Sequence, residues 1–178
     1  MMGMHLKLLV AAAAVTASIG ALAQAQEPIS ALRGHDSDAP VDVDADRFEV
    51  QERADRAVFV GNVKVKQAAL TLDTERLTIA YSTAGGIQIQ RLDASGGVVV
   101  RSPSETARGD FGVYDLDRKI ITLIGGVELN RGGSRLGGAR LVIDLNSGRA
   151  VIDGGPAGIG QSGGRVTGRF TVPQRGSR

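Results

Sequence analysis

Chemistry in a protein needs nucleophiles, bases or metal ligands, and this chain of 178 residues holds few of them. It has no Cys and two His, with His5 among the first residues and His35 in a polar approach segment. The usual nucleophile–base pairs and soft-metal sets cannot be assembled from that stock. The glycine motifs fail on context. Gly158-Ile159-Gly160-Gln161-Ser162-Gly163 spells a dinucleotide fingerprint, yet it follows Pro156 and runs into an Arg-rich stretch with no helical pattern and no downstream acid. Gly132 and Gly137 have phosphate-loop spacing, but Gly138 stands where the lysine must be. Asp42, Asp44 and Asp46 alternate as in a calcium loop, while Arg47 takes the place of the turn glycine and Arg53 that of the bidentate glutamate. A solvated edge strand explains that alternation. Carboxylate pairs fit for glycoside chemistry are abundant, but spacing singles out none of them. The sequence therefore predicts no enzyme, no metal and no cofactor. Arg165, Arg169, Arg175 and Arg178 close the chain without an acid, as a basic tail does. With 21 basic against 19 acidic residues overall, nucleic acid is not an expected partner.

The N-terminus reads as an export signal. Lys7 precedes an apolar run from Leu8 to Gly20, and Ala21-Leu22-Ala23-Gln24-Ala25 supplies small residues for cleavage after Ala25 or after Ala23. The run is too short for a typical bilayer span of about 20 residues. The expected organisation is a cleaved signal peptide over 1–25, a polar leader over 26–40, one domain over 41–155 and a Gly/Arg-rich tail over 156–178.

The elements of that domain follow from a hydrophobic period of two. Val63-Lys64-Val65-Lys66, Leu70-Thr71-Leu72-Asp73, Leu77-Thr78-Ile79-Ala80-Tyr81, Ile87-Gln88-Ile89-Gln90, Val127-Glu128-Leu129-Asn130 and Leu141-Val142-Ile143-Asp144-Leu145 alternate apolar and polar side chains. Half-buried strands carry that pattern, and no helical stripe competes. Gly61-Asn62, Gly96-Gly97, Gly125-Gly126 and Gly154-Gly155 recur at intervals of 35, 29 and 29 residues and read as turns between strands. A second marker keeps step, with apolar residues at Phe48, Leu77, Phe111 and Leu141. Four units of about 30 residues result, each too small to bury its apolar face alone, so they must stack around a continuous sheet-lined interior.

Three segments, in this order and spacing, carry a family resemblance: Arg56-Ala57-Val58-Phe59-Val60-Gly61-Asn62-Val63-Lys64-Val65, Gly109-Asp110-Phe111-Gly112-Val113-Tyr114-Asp115-Leu116 and Ile121-Thr122-Leu123-Ile124-Gly125-Gly126-Val127-Glu128-Leu129. From about Pro40 to Gly155 the chain resembles the OstA-like repeat of the LptA family of periplasmic lipopolysaccharide transport proteins. The resemblance implies an all-β, extended twisted β-jellyroll of antiparallel units, open at both ends, in the periplasm. It also implies an interior that holds the acyl chains of lipopolysaccharide, and copies joined end to end between an LptC-like inner-membrane partner and an LptD-like outer-membrane partner.

Two of these expectations also stand on the residues. The alternating face consists of Val63, Val65, Leu70, Leu72, Leu77, Ile79, Tyr81, Ile87, Ile89, Val98, Val100, Phe111, Val113, Val127, Leu129, Leu141, Ile143 and Leu145. Mostly aliphatic, it leaves room for a guest chain, and ten buried methylenes contribute about 8 kcal/mol before association costs. Strand pairing at the unblocked edges, Val41 to Val50 and near Leu141 to Ile152, would join copies to one another.

Overall fold

The computed structural model describes residues 32, 35–155 and 164–171, and the expected signal peptide lies outside them. The described chain is one antiparallel sheet. Six long strands form a meander: β3 (Arg56–Gln67), β4 (Leu70–Ser82), β5 (Gln88–Arg101), β6 (Glu105–Asp115), β7 (Ile120–Arg131) and β8 (Ser134–Asp144). Two short strands, β1 (Val41–Asp44) and β2 (Arg47–Gln51), pair with successive halves of β3, and β9 (Arg149–Asp153) and β10 (Thr167–Arg169) do the same to β8. A single 3-10 turn, Glu52–Ala54, is the only helical element among the described residues. The pairing path is linear and does not close on itself.

Most of the recurring glycine pairs are not turns. Three of them lie inside strands, where Gly61-Asn62, Gly96-Gly97 and Gly125-Gly126 break the register of β3, β5 and β7, with φ of +85° and +45°, +88° and +84°, and +80° and +50° respectively, while Gly154-Gly155 follows the end of β9. Two successive residues at positive φ make a bulge that bends a strand sharply, and Gly or Asn adopts that conformation at least cost. An acid one or two residues before the second marker's apolar residue is the neighbour of each of these bends. Asp46, Glu75 and Asp110 lie against Gly61, Gly96 and Gly125, in the space a side chain there would need. Asp46 also accepts a 2.8 Å hydrogen bond from Asn62 Nδ2 and donates its own N–H to the Gly61 carbonyl. The real turns lie elsewhere, as at Gly132-Gly133, where both residues have positive φ and the two-residue hairpin suits the strand twist.

Aligned bends fold the sheet into two leaves joined along a spine. One leaf holds residues 63–67 of β3 and the segments paired with them, flanked by β1 and β10; the other holds residues 56–60 of β3 and its neighbours, flanked by β2 and β9. Their inner faces share one apolar core in which Leu77, Leu123, Leu129, Leu141 and Ile143 are fully enclosed.

Candidate functional site

The space between the leaves is the place where apolar side chains from every long strand converge. Val63, Val65, Leu70, Leu77, Ile79, Val98, Val100, Val127, Leu129, Leu141, Ile143 and Leu145 are buried there, and Leu72 and Ile89 pack against them half-buried. Tyr81 is half-buried too, opposite Ile89. Three residues expected on this face are not on it. Ile87 sits in the β4–β5 turn with 79% of its surface exposed. Phe111 and Val113 face outward, because the register break between Arg108 and Phe111 inserts an extra residue and reverses the alternation. Beyond that break Gly112 and Tyr114 point inward. A side chain at Gly112 would press on Leu123 and Val98, both 3.1 Å from its Cβ position.

Leu92, Ala94, Ala107, Tyr114, Ile121, Leu123 and Ala150 complete the inner face. Leu92 and Ala94 alternate with Arg91 and Asp93, which was the signal for them. Ile120 to Ile124 is apolar almost throughout, so its inward residues carried no such signal. Leu32, from the leader, is also in the core.

The inner face is nearly free of charge. Its buried polar members are Gln67, Thr74 and Glu105, and Thr74 gives its hydroxyl to the Ser95 carbonyl at 2.8 Å. The Tyr114 hydroxyl lies beside the Ser37 side chain without a well-formed hydrogen bond, and burial pushes its pKa up. Ion pairs such as Arg91–Asp93, Arg140–Asp153 and Arg101–Asp73 lie on outer surfaces. The arrangement supplies a surface for apolar matter rather than a set of reacting groups. In this conformation its own side chains fill it. The cavity between Val65, Leu72 and Val100 on one leaf and Leu92, Tyr114 and Ile121 on the other has a volume of about 30 Å³. That is space for one water, not for a hydrocarbon chain, so the room expected from small aliphatics is absent here. A larger open groove lies outside the sheet, between Phe111, Ile124 and β10, with Asp110, Glu128, Arg135 and Arg140 on its walls.

Comparison with known proteins places this arrangement. Residues 42–149 match the family model described as LptA/(LptD N-terminal domain) LPS transport protein. An uncharacterized protein of Rhizobium meliloti (strain 1021) is 30% identical over 158 residues, covering 81% of this chain and 85% of its own length. The crystal structure of LptH from Pseudomonas aeruginosa, the LptA homologous periplasmic component of its conserved lipopolysaccharide transport device, superposes with a TM-score of 0.68. That likeness covers 78% of this chain and 99% of LptH at 17% identity, and it concerns the fold.

Proposed function

The chain belongs to the LptA/LptD N-terminal domain family of lipopolysaccharide transport proteins, and we propose that it works in the periplasm by holding lipopolysaccharide through its acyl chains between the two leaves. The observation that carries this reading is an apolar inner face spanning all six long strands in a sheet whose pairing path does not close on itself among the described residues. Such a body opens along its mouth by flexing at the glycine bends while every strand ladder stays intact. Burying roughly ten methylenes contributes about 8 kcal/mol, against an association cost of about 4 kcal/mol or more. No charged clamp or catalytic group is needed.

Assembly belongs to the same proposal. β1 and β2 at one end and β9 and β10 at the other pair on one side only among the described residues, and strand addition at these ends joins copies to each other and to similar domains at the two membranes. The cargo is tested by mass spectrometry of the intact mature protein after incubation with lipopolysaccharide. A complex bearing one lipid is the expected result. A protein that takes up no lipid from micelles overturns the reading.

A further inference from the structure

Residues 35–39, just before the first strand, lie across the mouth between the two leaves. Leu32 is 4% exposed and belongs to the shared core. The Gln67 amide, buried at the lip where β3 turns into β4, donates to the Ser37 carbonyl at 2.9 Å and the Ala39 carbonyl at 3.0 Å. Its oxygen lies 3.0 Å from His35 Nε2. On the opposite lip, at the β6–β7 turn, Lys119 Nζ lies 3.3 Å from the Asp38 carboxylate. A leader read from sequence as a mere polar approach is thus anchored to both leaves.

Those contacts have a chemical order: an apolar group in the core, carbonyls on a buried amide donor, and a carboxylate on a cation at the rim. An acyl lipid with an amide or ester linkage and an anionic headgroup presents the same series. Resting on the acyl-binding reading, we propose that the mouth between Gln67 and Lys119 is the subsite for the linkage and anionic head of such a lipid, and that Leu32 and residues 35–39 occupy it as an internal surrogate which must leave when the lipid binds. The filled interior agrees with this, since the one-water cavity adjoins Gln67 and Tyr114 and Leu32 belongs to the same apolar core. The Tyr114 hydroxyl, poorly served by the surrogate, becomes available to the guest.

The absence of Cys allows a clean test. D38C/K119C, bridged by a short bismaleimide, fixes the surrogate in place, and binding is read with two probes below their micelle concentrations. N-dodecanoyl-glutamate has chain, amide and anion; dodecyl maltoside has the chain alone. Bridging should weaken both probes at least tenfold relative to the same variant unbridged. The unmodified protein should prefer N-dodecanoyl-glutamate, and K119Q should bring the two affinities together. Equal binding by bridged and unbridged protein, or an undiminished preference in K119Q, overturns the subsite. If neither the unmodified protein nor D38N, whose surrogate has lost its anion, binds either probe, the acyl-binding reading itself fails and takes the subsite with it.

Discussion

At the scale of single residues, the glycines inside the strands separate two costs that usually come together. Gly96 and Gly97 both have φ near +85°, but a Cβ on Gly96 would lie 2.7 Å from the Glu75 Cβ, whereas a Cβ on Gly97 meets nothing within 4 Å. Gly97→Ala should therefore cost about 1–2 kcal/mol of backbone strain alone, and Gly96→Ala clearly more. Urea denaturation of the two variants measures the difference, and equal losses would show that the acid beside the bend moves freely. Asn62 gives a second comparison. Its φ of +45° is close to the +50° of Gly126, so Gly126→Asn should be tolerated where Gly126→Ala loses about 1 kcal/mol. In the core, Leu141 is completely enclosed, and Leu141→Ala should lose about 2–5 kcal/mol on the same assay.

At the scale of elements, period-two alternation showed that the chain is all-β and which runs are strands, because a half-buried sheet writes its burial directly into alternate residues. It could not show continuity across the bends. Leu70 to Asp73 and Leu77 to Tyr81 looked like two strands and are one, since the register shift between Asp73 and Arg76 interrupts the apolar alternation at Thr74-Glu75-Arg76 without ending the strand. The same ambiguity misplaced Phe111 and Val113, whose parity was counted from the wrong side of a register break. Leu32 was illegible for a different reason: nothing local marks an isolated leucine whose burial depends on both lips. The β8–β9 turn illustrates an element held by charge. The Asp144 carboxylate accepts first from the Ser147 N–H, then from the Ser147 hydroxyl and the Asn146 N–H, which holds its pKa below the ordinary 3.8. A lowered carboxylate pKa stabilises the fold above the unfolded-state value, and that contribution is lost as pH falls through the folded-state value. The stability difference between the unmodified protein and Asp144→Ala should thus be constant above about pH 5 and shrink as the pH falls below the ordinary 3.8. A difference that grows on acidification would contradict the assigned hydrogen bonds.

At the scale of the whole molecule, one folded sheet has an apolar interior and two strand-edged ends, the first proposed to hold lipid and the second to carry assembly. Expected assembly through the ends is concentration-dependent growth in mass by light scattering, stopped by proline at positions of β1 or β2 whose N–H points away from β3. A protein that stays monomeric at high concentration and binds no membrane-anchored relative would leave a soluble carrier and remove the bridge. Lipid held between the leaves is the central claim, and photo-crosslinking reads it most directly. A benzophenone amino acid at Leu72 or Ile89 faces the interior, whereas one at Thr78 or Val113 lies on the outer face of neighbouring strands. With lipopolysaccharide present, adducts should form at Leu72 and Ile89 and not at Thr78 or Val113. Labelling that is equal on the two faces, or confined to the outer one, would contradict the account.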